Sequence, residues 1–402
     1  MDTLKNDLVL IGNGIVGAST ALQLKKKFPS LSLLLIDKEA RCAQHQTGHN
    51  SGVVHAGVYY KPGSLKADFC KRGAVLTRAF CSEHDIPYTQ CGKLLVATNE
   101  LELQRMSHLE KRCAENEIEV QRLSESELKN KEPNIIGIGA LFVPATAITD
   151  FPLITQTMIS RYQDLGGDIL FASEVRKIDE SPSAIFITAG NQIIETSHLI
   201  VCGGLMADRL AGMMNIGLDF KIVPFRGEYY QLPDTLKSIV HHLIYPIPDP
   251  ELPFLGVHLT PMIDGNITVG PNAVLGWKRE GYGTINFSFK DVSEMLLFPG
   301  FWKVIGANLN AGFKEFVDSL YKPGYLNRVR KYCPQIKLSD LGTYPAGIRA
   351  QAVMADGSLV HDFLFSETER SLHVCNAPSP AATSALPIGE YLSNMAISKF
   401  NL

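Results

Sequence analysis

The chain has 402 residues, of which 45% are hydrophobic and 20% are charged, and its formal net charge is -3. This length exceeds that of one simple domain, so we expect two interleaved domains with a sizeable core. The basic residues are scattered among acids, and such a chain offers no general attraction to phosphate polymers. The composition therefore argues against a nucleic-acid partner.

The cysteines and the hydropathy pattern indicate the cellular compartment of the protein. The eight cysteines show no C-x-x-C spacing, so we expect reduced, mostly buried thiols rather than a zinc cage or disulfides. The apolar run from Leu8 is typical of a strand and not of a signal segment, which favours the cytoplasm. Asp208 and Arg209 interrupt the longest apolar stretch, so no segment reaches the roughly 20 residues of a spanning helix. The apolar segment 295–302 is either a packed helix junction or a peripheral contact with the inner face of the cell membrane.

The amino-terminal pattern predicts a β-α-β unit. Residues 8–11 and 31–36 are continuous apolar runs, and a turn at 12–17 with a helix at 18–27 separates them. Strands that are apolar throughout, rather than alternating, belong to a parallel sheet covered on both faces. This indicates a doubly wound fold.

The rest of the chain alternates helical and extended patterns. A charge-rich helical stretch covers 99–131, and a second helix covers 152–165 before Gly166 and Gly167. Further helices are predicted over 295–321, and a final helix follows the strand 372–375. The other predicted strands are 168–171, 185–188, 198–202, 223–232, 255–260 and 266–269, with Asp264 and Gly265 supplying a hairpin turn before the last of these.

The first turn carries a nucleotide-binding pattern. Gly12, Gly14 and Gly17 follow a strand and open a helix, so they can form a tight turn, admit a pyrophosphate and let the helix pack on the strand. Asp37 ends the second strand about 20 residues later, where its carboxylate can accept both ribose hydroxyls of an adenosine. At this point NAD and FAD remain equal alternatives.

The next loop favours a flavin. Residues 45–60 are rich in glycine and serine and contain His45, His49 and His55. A loop of small residues at this position can run along the pyrophosphate and ribityl chain of FAD, whereas NAD enzymes do not need it. The histidine spacing and the lack of a nearby carboxylate cluster argue against a metal site.

The glycine-rich elements near residues 12, 203 and 380 can share one nucleotide site only if the cofactor domain is discontinuous. We predict an α/β fold with a Rossmann-type FAD-binding domain on a doubly wound, mainly parallel sheet, formed by residues 1–84, 146–224 and 340–402. An interleaved α+β substrate domain on an antiparallel sheet is predicted for residues 85–145 and 225–339.

Several motifs, spread over nearly the whole chain, are similar to those of the D-amino-acid-oxidase-like FAD superfamily. Within it, the chain most resembles the L-2-hydroxyglutarate dehydrogenases, also called oxidases. The similarity is carried by residues 49–66, 223–230, 253–258, 270–273, 346–351 and 376–383. It implies FAD-dependent oxidation of L-2-hydroxyglutarate to 2-oxoglutarate, with electrons passed to a quinone or another acceptor.

A hydroxy acid must lose its hydroxyl proton as the carbon-bound hydrogen leaves as hydride, so a base is expected. Histidine suits this role because its pKa lies near working pH. His55 is the preferred candidate from the sequence, and His258 is the second choice or an orienting partner. The alternative for both is a structural role, as a core or loop histidine whose hydrogen bonds are satisfied within the protein.

A dicarboxylate substrate requires cations, and the planar fork of arginine grips a carboxylate in two places. Arg226 and Arg349 are the candidates, since each interrupts an apolar or small-residue strand pattern. The alternative for Arg226 is a salt bridge to Glu228 or another acid. Weaker substrate-binding candidates are Lys66, Tyr60 and Tyr245.

The resemblance also implies the cofactor contacts. Val175 matches a position that touches adenine through backbone groups, and the turn before the last helix matches the final flavin contact. The predicted cofactor-binding residues are Gly12, Gly14, Ile15, Val16, Gly17, Asp37, Lys38, Thr47, Asn50, Ser51, Gly52, Val53, Val175, Cys202, Gly203, Gly347, Arg349, Pro380, Ala381, Ala382 and Thr383.

Three alternative functions remain open from the sequence. An amine or amino-acid oxidase of the same fold needs no base, because its substrate nitrogen can lose a proton unaided. A flavin-dependent RNA-modifying protein needs a basic surface laced with aromatic residues, which the charge pattern does not supply. The third alternative is a non-catalytic flavoprotein subunit of a membrane dehydrogenase. The apolar segment 295–302 is the one indication of it.

Overall fold

The computed structural model describes residues 3–217, 219–249, 256–283, 285–306 and 322–402. Strands are formed by Leu4–Ile11 (β1), Leu33–Ile36 (β2), Val53–Val54 (β3), Tyr88–Thr89 (β4), Lys93–Ala97 (β5), Gln121–Ser124 (β6), Gly139–Val143 (β7), Ala147–Thr149 (β8), Asp168–Leu170 (β9), Val175–Glu180 (β10), Ile185–Ala189 (β11), Gln192–Val201 (β12), Phe220–Gly227 (β13), Tyr230–Gln231 (β14), Leu243–Pro246 (β15), Leu259–Pro261 (β16), Ile267–Val269 (β17), Val274–Leu275 (β18), Gly342–Thr343 (β19), Gly347–Met354 (β20), Leu364–Glu367 (β21) and Ser371–Asn376 (β22).

Helices accompany these strands and close most of the connections. They are Ile15–Lys27 (α1), Leu65–Glu83 (α2), Glu100–Glu115 (α3), Glu125–Lys131 (α4), Phe151–Asp164 (α5), Ala207–Met213 (α6), Phe289–Leu296 (α7), residues 299–306 (α8), Lys322–Arg330 (α9) and Ala385–Phe400 (α10).

The first eight-stranded sheet contains the amino-terminal β-α-β unit. Its main path runs β10-β11-β12-β1-β2-β9, and β22 with β21 pairs beside β12. The pairs β1–β2, β1–β12, β2–β9 and β12–β22 are parallel, whereas β10–β11, β11–β12 and β21–β22 are antiparallel. The predicted α/β class is confirmed, with a sheet that is mixed at its margins.

Both faces of this sheet are covered, as its continuously apolar strands predict. Leu8 and Leu10 pack in a core with helices α1, α5 and α10. Val9 and Ile11 point the other way, into a core shared with β10, β11 and α6. Alternate residues of one strand therefore serve two cores, and the carboxyl end of β1 is held at a defined position above α1.

The second eight-stranded sheet has the order β19-β14-β17-β16-β15-β5-β7-β6. Its pairs are antiparallel except for β15–β5, which is parallel. The expectation of an antiparallel sheet is therefore correct for all but this pair. β13 and β20 form a separate ladder with β18, and they connect the two larger sheets.

The strands of the first sheet all fall within the three segments predicted for the cofactor domain. Within the described residues, the second sheet draws on 85–145 and 225–339, except for β19, which lies in the 340–402 segment. The domain boundaries themselves stay a prediction.

Two element predictions need correction or qualification. The helical stretch 99–131 is broken, because β6 pairs with β7 between α3 and α4. Backbone pairing to a neighbouring strand overrides the charged, helix-favouring composition there. The predicted helices over 295–321 are described only to residue 306, and the first residue of the predicted strand 255–260 also lies outside the described residues.

The cysteines and hydropathy agree with the sequence analysis where the structure describes them. All eight cysteines are unpaired, and six of them are buried. Within the described part of the chain, no helix has the length and apolar character needed to span a bilayer.

A buried ion-pair network joins Arg279 and α7 to α6, a helix that packs on the first sheet. Arg279, only 2% exposed, donates from Nη2 to Asp208 of α6 at 2.9 Å and from Nη1 to the carbonyl of Leu205 at 2.9 Å. Arg209 of the same helix pairs with Asp291 and Glu294 of α7. Removing one partner leaves an uncompensated buried charge, which costs much more than a surface ion pair provides.

We expect Arg279→Met to lower the free energy of unfolding by about 3–5 kcal/mol, because Asp208 would remain buried without its counter-charge. The matched control is Lys5→Met, which removes a 3.0 Å ion pair to Glu195 from a side chain that is 72% exposed. That change should stay within about 1 kcal/mol. Urea unfolding followed by fluorescence measures both variants, and equal losses would contradict the assigned role of the network.

Candidate active site

Three glycines close the turn between β1 and α1. Gly12 has a φ of 106°, and a Cβ there would overlap the carbonyl oxygen of Cys202. A Cβ at Gly17 would overlap the carbonyl oxygen of Gly12, so α1 can approach the turn only without a side chain. Gly14 caps α1 in an extended conformation. The amino-terminal end of α1 is thereby presented to the cavity described below, an arrangement suited to a phosphate group.

Asp37 supports this turn from the end of β2. Its Oδ2 accepts from the backbone N–H of Asn13 at 2.6 Å, and its Oδ1 accepts from that of Glu39 at 2.8 Å. Burial raises the pKa of the carboxyl, and the two hydrogen bonds oppose that rise. The carboxylate therefore shapes the glycine turn, and its contact with a ribose stays a prediction.

A cavity of about 1010 Å³ extends from the start of α1 into the space between the two large sheets. Typical small-molecule sites occupy roughly 300–1,000 Å³, so there is room for a large cofactor with a small substrate. The cavity brings together most of the predicted site: Gly14, Ile15, Val16, Gly17, Thr47, Asn50, Ser51, Val53, His55, Tyr60, Lys66, Cys202, Tyr245, His258, Gly347, Arg349, Pro380, Ala381, Ala382 and Thr383.

Some predicted site residues do not line this cavity. Val175 packs in the core beneath β10, and Lys38 forms an ion pair with Glu280. The residues outside the lining are Gly12, Asp37, Lys38, Gly52, Val175, Gly203 and Arg226. Their roles toward cofactor or substrate stay predictions.

Side chains of the 45–60 loop hold it against α1 and the carboxyl-terminal turn. The Thr47 hydroxyl accepts from the Ile15 N–H at 3.1 Å. Asn50 donates from Nδ2 to the carbonyl of Thr47 at 2.6 Å. The Thr383 hydroxyl accepts from the His55 N–H at 3.1 Å and donates to the carbonyl of Val53 at 3.3 Å. Predicted cofactor contacts therefore also fix the loop that carries His55.

His258 is oriented by its neighbours. Its Nδ1 lies 3.0 Å from the carbonyl oxygen of Gly256, and because a carbonyl only accepts, Nδ1 carries the hydrogen and Nε2 keeps its lone pair. The ring stacks on Tyr245 with centroids 3.8 Å apart. Burial lowers the pKa of His258 to about 3, and the charge of Arg349 acts in the same direction. This imidazole is neutral at pH 7 and can accept a proton.

His55 shares the cavity but is held differently. Its backbone is fixed by Thr383, whereas its Nδ1 is buried without a hydrogen-bond partner among the described residues. Burial holds the pKa of His55 well below its usual range, and the charges of Lys93 and His258 add to the effect. Both predicted histidines are therefore neutral and lie in one cavity.

Two cations border the same space. Arg349 lies on β20, and Lys66 lies in the first turn of α2. Lys66 Nζ donates to the carbonyl of His361 at 3.2 Å and lies 5.0 Å from the ring centroid of Tyr60. Burial lowers the pKa of Lys66 to about 8, with Arg349 as the next cause. Lys66 stays largely protonated at pH 7, so the wall is positively charged.

Arg226 has internal partners. Its Nε lies 3.4 Å from Glu228 Oε1, and its Nη1 donates to the carbonyl of Gly281. In the β13–β20 ladder Arg226 is opposite Ile348, whereas Arg349 is opposite Phe225. Because successive side chains on a strand point to opposite faces, the two arginines point away from each other. The salt bridge that the sequence left as an alternative is present.

Candidate positions that the sequence analysis missed also border the cavity. Arg105, His108 and Arg112 of α3 line it, with an i, i+3, i+7 spacing that places them on one helix face. Arg105 forms a 3.0 Å ion pair with Asp249. Lys93 lies behind the cavity wall, fully buried at the start of β5. The sequence did contain a sign of this buried cation, because a lysine begins the otherwise apolar run Lys93–Ala97.

One group near the turn has the composition of a metal site. Side-chain atoms of Glu39, His45 and Glu280 lie within 4.8 Å of one another. The Lys38 ammonium already pairs with Glu280, and His45 Nε2 lies 2.9 Å from Glu39 Oε1. These contacts form an ion-pair cluster over the glycine turn, and the predicted absence of a metal stays a prediction.

Comparison with known proteins places this geometry in a family. The family described as "FAD dependent oxidoreductase" matches residues 7–395. L-2-hydroxyglutarate dehydrogenase from Salmonella houtenae is 53% identical over 96% of this chain and 92% of its own length. The mitochondrial L-2-hydroxyglutarate dehydrogenase of Homo sapiens is 40% identical over 98% of this chain and 89% of its own.

Solved structures agree on the fold. FAD-bound L-alpha-glycerophosphate oxidase from Mycoplasma pneumoniae superimposes with a TM-score of 0.79 at 21% identity, covering 99% of this chain and 95% of its own. Glycine oxidase from Geobacillus kaustophilus gives a TM-score of 0.74 at 16% identity, covering 99% and 96%. With the glycine turn, the loop and the cavity in register, the chain belongs to the FAD-dependent oxidoreductases and, within them, to the L-2-hydroxyglutarate dehydrogenase family.

Proposed function

We propose that the protein oxidises L-2-hydroxyglutarate to 2-oxoglutarate. The observation that carries the proposal is a neutral histidine, His258, in one cavity with two cations and the glycine turn. Bound FAD supplies the hydride acceptor, held by the turn at Gly14, the 45–60 loop and the turn before α10. The name shared by the curated relatives supports the choice of substrate.

His258 is the base in this proposal. The hydrogen bond from Nδ1 to Gly256 fixes the tautomer with Nε2 free to accept the hydroxyl proton. An imidazole that is oriented by a second group matches the usual arrangement of a catalytic base. The sequence alone favoured His55, whose ring has no such orienting partner among the described residues. We assign His55 the role of lining the cavity beside the substrate.

Arg349 and Lys66 bind the two carboxylates. Both side chains are partly buried in the cavity wall, where a charge-assisted hydrogen bond is stronger than at the open surface. A dianionic substrate offsets their charges, which would otherwise repel each other. Tyr60 and Tyr245 complete this wall, and burial keeps the pKa of both phenols above its usual value, so that they remain neutral donors.

An exposed apolar surface supports a proposal for the electron acceptor. Ile285, Phe289 and Leu297 are 84%, 85% and 83% exposed, and Phe287 and Trp302 are at least half exposed. Such a cluster around α7 exceeds the isolated apolar residues of an ordinary surface. We propose that this α7 patch rests on the inner face of the cell membrane while the protein remains cytoplasmic. The acceptor would then be a quinone, which is dissolved in that membrane.

We expect L-2-hydroxyglutarate to bleach the visible flavin absorbance of the purified protein under anaerobic conditions. D-2-hydroxyglutarate, glycine and glycerol 3-phosphate should leave the spectrum unchanged on the same time scale, because only the L-hydroxy acid places its hydrogen and hydroxyl correctly. Bleaching by glycine would favour an amino-acid oxidase of the same fold. No bleaching by any of the four compounds would also overturn the proposal.

Arg349→Met should lower kcat/KM for L-2-hydroxyglutarate by roughly 30-fold or more, since truncating one side of a buried, hydrogen-bonded charge pair costs at least about 2 kcal/mol. Arg226→Met makes the same change on the opposite face of the ladder and should have a much smaller effect. Steady-state kinetics with matched flavin content compare the two variants. The reverse order would assign the substrate to Arg226.

The α7 patch is tested by sedimentation with vesicles of mixed zwitterionic and anionic lipids. Phe289→Ser combined with Leu297→Ser should reduce the bound fraction several-fold, because each replaces an apolar contact with lipid by a hydroxyl group. Val75→Ser, at a position on α2 that is 67% exposed, is the matched control and should bind as the unaltered protein does. Equal binding of all three proteins would exclude the patch as the membrane contact.

A further inference from the structure

Lys93 is a buried cation that the proposed reaction does not yet use. Its side chain is fully buried, and its Nζ has no hydrogen-bond partner among the described residues. The ammonium lies 4.6 Å from the ring centroid of Tyr59 and 5.1 Å from that of Tyr245. Aromatic faces compensate a buried cation only in part. An apolar side chain of similar length would fill the same space without this cost.

The surroundings connect Lys93 to the histidines. Tyr59 and Tyr245 line the cavity, and the ring of Tyr245 also stacks on that of His258. The ammonium therefore lies one ring behind the wall of the active site. Lys93 is the largest charge that lowers the pKa of His55, and it also contributes to the low pKa of His258.

The other ionisable groups around this cluster do not supply a negative charge. Burial raises the pKa of the Cys70 thiol to about 12 and that of Cys113 to about 11, so both are neutral. Burial also holds the pKa of the Tyr59 phenol well above its usual value. Lys93 and Arg349 act on both histidines, and Lys66 and His258 act on His55 as well; all of these charges are positive.

We propose that Lys93 is a positioning residue: its ammonium, enclosed by Tyr59 and Tyr245 behind the cavity wall, adds to the effect of burial in keeping His55 and His258 unprotonated when the substrate arrives. Burial lowers the pKa of Lys93 to about 8, so the side chain is mostly charged at neutral pH. A positive charge disfavours a second positive charge on a nearby imidazole. Burial is the larger cause of the low pKa of both imidazoles, and the charge of Lys93 adds to it. This role rests on the proposed oxidation of a hydroxy acid.

The experiment uses the FAD-loaded protein with Lys93→Met, Lys93→Gln and Lys93→Arg. The first readout is the proton NMR titration of the His55 and His258 rings without substrate, with signals assigned from His55→Gln and His258→Gln. The second readout is the pH dependence of anaerobic flavin reduction by L-2-hydroxyglutarate. Lys111→Met, which removes an exposed lysine from neighbouring α3, is the matched control.

Lys93→Met and Lys93→Gln should raise the pH at which both rings titrate, by about one unit for His55 and less for His258. The acid limb of flavin reduction should move to higher pH by the same amount as the titration of His258. Lys93→Arg and Lys111→Met should titrate as the unaltered protein does. Using two neutral replacements guards against one of them failing to fold.

The proposal is overturned if a folded, FAD-loaded Lys93→Met or Lys93→Gln protein retains both the unaltered ring titrations and the unaltered acid limb. A loss of rate that is the same at every pH would also overturn it, because that is the effect of a purely structural residue. If L-2-hydroxyglutarate does not reduce the flavin of the unaltered protein, the proposed function fails. The ring titrations still decide the role of Lys93 in that case.

Discussion

Burial is the largest cause of the altered pKa of His55, His258 and Lys66 on the cavity wall. In water these groups would titrate near their ordinary values, and the imidazoles would be partly protonated at neutral pH. In the cavity wall the two imidazoles are neutral, whereas Lys66 is charged and lies beside Arg349. The chemistry of the site therefore depends first on the exclusion of water, which the packing of two sheets around one cavity provides.

The same packing explains why the site residues come from distant parts of the chain. The glycine turn and the 45–60 loop extend from the first sheet, whereas Tyr245 and His258 come from the second. The β13–β20 ladder, which carries Arg349, lies between them. A buried ion pair joins Arg279 to Asp208 of α6. The residues proposed to hold FAD and the substrate therefore meet at one boundary, as transfer of a hydride and a proton from one substrate requires.

Charge is concentrated unevenly at this boundary. Lys66 and Arg349 line the cavity, and Lys93 lies behind it, while Arg105 and Arg112 stand at α3. The net charge of the whole chain is slightly negative, so this positive region is a local feature of the fold. A doubly anionic hydroxy acid is the kind of small molecule that such a region favours.

Local patterns were sufficient for the cofactor half of the protein. Gly12, Gly14 and Gly17 between two apolar runs are constrained by backbone geometry alone, and no other residue type fits the turn that the structure shows at Gly12 and Gly17. The continuous apolar strands predicted a sheet covered on both faces for the same reason, since side-chain alternation is a property of the strand itself. The 45–60 loop then favoured a flavin, and the family resemblance supplied the substrate class.

The sequence by itself determined the β-α-β unit, the cofactor class and the pool of candidate histidines and cations. Only the tertiary structure decided which candidates share a cavity. Arg226 and Arg349 have similar local sequences, but the ladder register turns one toward Glu228 and the other to the cavity. In the sequence, Lys93 is only the first residue of a short apolar run. The tertiary structure places its ammonium against two tyrosine rings. Burial, register and partner choice are properties of contacts between distant segments, and a local pattern does not contain them.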